Sequence, residues 1–154
     1  MRVTVSEKMK NNLDVETVNS FGDEWSRFDQ SELPESEASK RFDEYFAVFP
    51  WDTLPVNATG FDMGCGTGRW AKLVAPRVGH LHCIDPSSAL EVAKTALSAA
   101  TNVSFHSASV EVHTLPPNSQ DFGYSLGVLH HVPDTTWAIK ACIAIHMKAD
   151  PKKT

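Results

Sequence analysis

The sequence predicts an α/β domain, an open parallel sheet with helices on both faces, preceded by a helical segment. Three observations carry that expectation. From residue 57 onward, short apolar runs alternate with stretches of helical period. Gly64-Cys65-Gly66-Thr67-Gly68 stands between the first apolar run and the helix that follows it. Two acids, Asp62 and Asp85, stand at the ends of two successive runs. Strand and helix in alternation imply βαβ units and a parallel sheet, and right-handed crossovers then largely fix how they wind.

Composition narrows the class. The chain has 154 residues, enough for one domain with a real core. Hydrophobic residues make up 42%, which excludes a wholly disordered chain. The net charge is −5, and the longest basic cluster is Lys152-Lys153. Phosphate neutralisation needs clustered Lys and Arg, so no nucleic-acid partner is expected. No apolar run approaches the roughly 20 residues of a membrane span, so no membrane partner is expected either. Met1–Asn12 is polar and has no signal-peptide core. Cys65, Cys83 and Cys142 fit neither a metal-ligand spacing nor a disulfide framework. No metal is expected, and the cysteines read as small buried hydrophobes in a reducing cytoplasm.

The elements follow in order. Residues 1–20 show no clear period and read as mobile. Phe21, Trp25 and Phe28 are spaced by four and three, which fits one face of a short helix within 21–35. Trp25 and Phe28 are either core packing or a lid over a ligand. Ser36 to Phe49 predicts an amphipathic helix, with Ala38, Phe42, Tyr45, Phe46 and Phe49 on one face and Ser36 as its cap. Pro50 and Pro55 bracket a loop that carries Trp51. Residues 1–56 therefore form a helical lid or cap segment. Strands are predicted at Thr59–Met63, Leu81–Ile84, Val103–His106 and Asp121–Leu126. Helices are predicted at Arg69–Val74, Ser88–Ala100 and Thr135–His146. Ser88 caps the second of these, with Leu90, Ala93, Ala96 and Leu97 inward. Residues 148–154 read as a polar tail.

The chemistry concentrates on the glycine turn. Glycines at alternate positions let the backbone turn sharply and let a ligand lie against main-chain atoms. Asp62 puts a carboxylate at the C-terminal edge of the sheet, where ligands of open α/β folds bind. A glycine turn alone is also compatible with a plain strand–helix connection. Asp85 adds a second signal, 17 residues after Gly68 at the end of the next strand. A carboxylate there can accept both hydroxyl hydrogens of a ribose. Cys65 lies on the same loop, but the sequence shows no base that would activate it as a nucleophile.

Phe61-Asp62-Met63-Gly64-Cys65-Gly66-Thr67-Gly68 resembles the nucleotide-loop motif of class I S-adenosylmethionine-dependent methyltransferases. Asp85 stands where that family keeps its ribose-binding acid. Asp121 to Val132, with Leu129-His130-His131, resembles its fourth-strand motif in small-molecule members. Ser109-Val110-Glu111 aligns with the segment that contacts adenine, with Ser109 in place of the usual Asp. The resemblance covers roughly residues 57–147. It implies a Rossmann-like sheet of strand order 3-2-1-4, normally continued by strands 5, 7 and 6. It implies S-adenosylmethionine as cofactor, S-adenosylhomocysteine as product and a small-molecule methyl acceptor. The implied cofactor residues are Asp62, Gly64, Cys65, Gly66, Gly68, Asp85, Pro86, Ser87, Ser109, Val110, Glu111 and Leu126. The helix start after Gly68 would favour the methionine carboxylate. His130 and His131 are candidates for the base that deprotonates an acceptor, or simply form the start of the next turn.

The chain ends a few residues after the fourth helix, before the family's later strands. This predicts an apolar strand-four edge at Tyr124, Leu126 and Val128 that invites self-association. It also predicts an acceptor pocket too incomplete for efficient transfer. A module that binds the cofactor without catalysis is therefore one alternative. An NAD-dependent oxidoreductase is another, disfavoured by the glycine spacing and the Leu-His-His segment.

Overall fold

The structure, a computed structural model, describes residues 13–27 and 34–146. Four parallel strands lie in the order β3-β2-β1-β4. They are β1 (Thr59–Met63), β2 (His80–Ile84), β3 (Val103–His106) and β4 (Phe122–Tyr124). Helices α1 (Val15–Arg27) and α2 (Glu35–Tyr45) precede the sheet. Helices α3 (Ala71–Val74), α4 (Ala89–Ala96) and α5 (Thr135–His146) follow β1, β2 and β4.

Period-two alternation splits the core into two layers. Leu81, Cys83 and Phe122 face a cluster with Phe42 from α2 and Phe46 just after it, Ala71 and Val74 from α3, and Leu90 from α4. Phe61, Met63 and Ile84 face the other way, onto Ala138 and Ile145 of α5. Of the aromatic set expected on α2, Phe42 and Phe46 are thus core. Phe42 and Phe46 stack at 4.4 Å, and Phe46 meets Tyr124 edge-on at 5.2 Å.

Several boundaries move from their expected places. Residues 15–20 are helical rather than irregular, because α1 begins at Val15. The Asp14 carboxylate starts it by accepting the N–H groups of Glu16 and Thr17. The side chains of Phe21 and Trp25 and the whole of Phe28 lie outside the described residues, as do residues 1–12 and 147–154. Helix α2 starts one residue before Ser36, at Glu35 after Pro34, with no side-chain cap, and ends at Tyr45 rather than Phe49. Tyr45 is 58% exposed and packs on Trp70 instead of entering the core. The helix expected at Arg69 starts at Ala71 and lasts four residues. Helix α4 stops at Ala96, and Ala96 is exposed. Its cap is Ser87, not Ser88. Ser87 Oγ accepts the Ala89 N–H, while Ser88 makes no side-chain cap. Strand β4 is three residues long, and Tyr124, Leu126 and Val128 are half-buried, so the open edge is narrower and less apolar than the sequence suggested.

Candidate active site

A cavity of about 300 Å³ opens at the C-terminal ends of β1, β2 and β4. Two glycines shape its floor. Gly66 has a φ of +53°, and a side chain there would meet no protein atom within 4 Å; the vacant space is the cavity itself. Gly64 has a φ of +80°, and a Cβ there would collide with the Val128 side chain. One glycine leaves room for a ligand and the other leaves room for the protein.

Asp85 ties this turn to the end of β2. It is buried, and its Oδ2 accepts the Gly66 N–H at 2.9 Å. Its Oδ1 accepts the Ser87 N–H at 2.8 Å and the Ser87 hydroxyl at 2.6 Å. A carboxylate offers about four acceptor positions, so one remains on Oδ2. A second is released if the Ser87 hydroxyl rotates away. Across the cavity Ser109 and Val110 are buried, and the Ser109 Oγ has no hydrogen-bond partner. Buried polar atoms are ordinarily paired, so Ser109 is a donor and acceptor in want of a ligand.

Asp62 lies beneath the cavity rather than in its lining. It pairs with Cys83 of β2 on one side and Tyr124 of β4 on the other. Burial pushes its carboxyl up to about 7, and the Asp85 charge adds to the rise while the Tyr124 hydroxyl opposes it. Tyr124 sits close enough to exert that pull, yet neither its hydroxyl nor Asp62 Oδ2 has a hydrogen bond of full geometric quality. Burial also raises the Tyr124 hydroxyl well above its usual range. Cys65 lines the cavity, but its thiol is held up by Cys83 and by burial, the reverse of nucleophile activation.

Of the residues expected at a cofactor, Gly64, Cys65, Gly66, Asp85, Pro86, Ser87, Ser109, Val110 and Leu126 line the cavity. Asp62, Gly68 and Glu111 do not. Gly68 faces α4, where a side chain would press on Leu97 and Ala93, and Glu111 is exposed to solvent. The histidines divide as well. His131 lines the cavity and His130 does not, although their rings are 3.8 Å apart. His131 is exposed, and slight desolvation and the neighbouring His130 lower its pKa from 6.5, so the neutral form predominates at pH 7.

Within the segment expected as a lid or cap, the sequence did not single out the particular lining residues at the start of α1. Leu13, Asp14, Thr17, Val18 and Tyr45 close the cavity opposite the glycine turn. The signal for them was Asp14 as a helix cap, with Thr17 three residues on.

A family model described as a methyltransferase domain matches residues 61–148, more than half of the chain. No curated protein sequence matches it. Solved structures show the same fold. The YcgJ protein from Bacillus subtilis is 19% identical, with a TM-score of 0.59 over 73% of this chain and 46% of its own. A phosphoethanolamine N-methyltransferase 1 from Haemonchus contortus, solved with phosphoethanolamine and S-adenosylhomocysteine, is 14% identical, with a TM-score of 0.60 over 80% and 26%. A SAM-dependent methyltransferase from Aquifex aeolicus is 17% identical, with a TM-score of 0.54 over 74% and 68%. The chain thus spans less than half the length of the first two.

Proposed function

Because this chain belongs to the methyltransferase-domain family, in its class I S-adenosylmethionine-dependent form, we propose that it uses its cavity to bring that cofactor to a small-molecule acceptor for in-line methyl transfer. The observation that carries the reading is the pairing of Gly66 with Asp85. The one exposes backbone to empty space, and the other presents a buried carboxylate beside it.

The residues fit the cofactor. Asp85 accepts ribose hydroxyls once Ser87 gives up one of its bonds. The unpartnered Ser109 hydroxyl and the Val110 side chain suit the edge and face of adenine, and Leu126 supplies apolar contact. The bound cofactor supplies an electrophilic methyl on a sulfonium. The chain mainly has to align the acceptor, since proximity can supply much of the barrier reduction. His131, neutral and facing the cavity, can take a proton from an acceptor hydroxyl or ammonium. Leu13, Val18 and Tyr45 keep water from that side of the cavity. The Haemonchus neighbour, solved with a small acceptor and S-adenosylhomocysteine together, supports a small-molecule acceptor here.

The deciding experiment separates binding from transfer. Calorimetry with S-adenosylhomocysteine, S-adenosylmethionine and NAD comes first. A methyl-transfer assay over small acceptors follows. Heat with NAD alone would sink the reading. Heat with S-adenosylhomocysteine but no transfer to any acceptor would favour a binding module. Self-association through the β4 edge belongs to the same proposal, and sedimentation that shows only monomer removes it.

A further inference from the structure

We infer that Arg69 holds the carboxylate at the methionine end of the cofactor, a task the sequence assigns to the helix start after Gly68. The inference rests on the cofactor reading above and names one contact within it.

The N–H groups of Gly64 and Cys65 both donate to the Ile84 carbonyl, at 2.7 and 3.1 Å. The Gly66 N–H donates to Asp85, and the Gly68 N–H to the Cys65 carbonyl. Four of the five amides of the turn are therefore consumed inside the protein, and taking any of them for a ligand strands its present acceptor. The helix that follows is a single four-residue turn, beginning two residues later than expected. The Thr67 amide is the one turn donor with no such bond, and neither it nor so short a helix start carries a formal charge to set against a carboxylate.

Charge is the remaining resource. The acidic, basic and histidine side chains lining the cavity are Asp14, Asp85, His131 and Arg69. Two are acids, and His131 is neutral at pH 7. Arg69 is the one cation among the described lining residues, and among the described residues it forms no ion pair. Its guanidinium carbon lies 4.5 Å from the centre of the Trp70 ring. Stacking of that kind occupies the face of the group and leaves its in-plane N–H fork for a planar anion. Its charged neighbour is a second cation, Arg41 of α2, which is itself engaged with Glu37 at 2.9 Å. Burial and the Arg41 charge both work against the protonated Arg69, and Tyr45 offsets them only in part. An arriving carboxylate relieves both.

The test compares two ligands that differ at the group in question. S-adenosylhomocysteine carries the carboxylate; 5′-methylthioadenosine keeps the adenosine and the thioether and lacks the amino-acid end. Both are titrated calorimetrically into the full chain, as wild type, Arg69→Gln and Arg69→Lys. Loss of a charge-assisted bidentate contact should weaken S-adenosylhomocysteine at least about tenfold in Arg69→Gln and leave 5′-methylthioadenosine within about twofold. Arg69→Lys should recover part of the loss. Salt raised from about 0.05 to about 0.5 M should weaken wild-type binding of S-adenosylhomocysteine and leave Arg69→Gln nearly unmoved. Unchanged S-adenosylhomocysteine affinity in Arg69→Gln overturns the inference. So do equal losses for both ligands, which would make Arg69 a support of the pocket. If the wild type binds neither ligand, the cofactor reading itself fails. If it binds both and the variants do not separate them, only the role of Arg69 fails.

Discussion

One wall of the cavity is made by the turn after β1 and the end of β2, the opposite one by α1, Tyr45 and the turn after β4. The first wall is two short segments joined by the Gly66–Asp85 bond, and its hydrogen bonds are short. The Gly66 N–H, Asp85 and Ser87 form one connected set within 2.9 Å. The second wall gathers Leu13, Tyr45 and His131 from three distant segments. It offers mainly side chains where the first offers backbone and one carboxylate. Substitutions in the first wall should therefore act on cofactor affinity, and those in the second on the acceptor.

The largest effect should separate two glycines of the first wall. Gly66→Val should abolish S-adenosylhomocysteine binding while thermal unfolding stays cooperative, because the new side chain enters empty cavity. Its φ of +53° adds some strain to the variant. Gly64→Ala should instead damage folding, because its Cβ runs into Val128. A folded Gly66→Val with wild-type affinity would show that no ligand reaches that surface.

Asp85→Ala comes next. Loss of a charged acceptor should weaken binding by about 1–3 kcal/mol, roughly ten- to a hundredfold in Kd. The variant also frees the Gly66 N–H, so proteolysis of the turn should quicken when no ligand is bound. Calorimetry that finds the affinity unchanged moves the ribose elsewhere.

These two walls also differ in how much of them the sequence shows. The turn from Asp62 to Gly68 and the acid at Asp85 are local patterns whose meaning does not depend on distant packing. Strands Thr59–Met63 and Val103–His106 and helix Thr135–His146 are found where their apolar runs put them. The α1 wall was not visible in that way. Val15–Arg27 is mostly polar, and its place over the cavity depends on long-range contacts that no periodicity reports. Gly68 misled for a related reason. It belongs to the motif, but its own neighbours are Leu97 and Ala93, so the motif mixes residues that approach a ligand with residues that pack a helix. Glu111 and His130 fell away because adjacency in sequence does not ensure that two side chains face the same space.

The ionisation of Asp62 gives a smaller effect with a definite sign. Burial raises this carboxyl from 3.8 to about 7. Between those values the folded protein keeps a proton that the unfolded chain has lost, so stability falls as pH rises through that window, by up to about 1.4 kcal/mol per pH unit. His82 works the other way. Burial and its histidine neighbours lower it to about 4, so its contribution to stability rises with pH between about 4 and 6.5. The clean measurement is the difference between wild type and Asp62→Asn in chemical denaturation from pH 5 to 8. The wild type should lose ground to the variant as pH rises to about 7 and hold a constant difference above it. A difference constant over the whole range would mean that Asp62 titrates alike in both states.

Ser87→Ala should give the smallest effect and the sharpest division between stability and binding. The Ser87 hydroxyl donates to Asp85 Oδ1 and accepts from the Ala89 N–H, so it serves both the site and the start of α4. Its removal takes the cap from α4, which should cost roughly 0.5–2 kcal/mol of stability. On Asp85 it has the opposite sense, because it releases an acceptor position that a ribose hydroxyl can take. S-adenosylhomocysteine affinity should therefore hold within about threefold even as the midpoint of denaturation falls. Denaturation and calorimetry on the same preparation test both halves. A loss of affinity of tenfold or more, on the scale expected for Asp85→Ala, would mean that the hydroxyl itself touches the ligand, and Ser87 would then belong to the binding contacts of the wall and not only to its internal support.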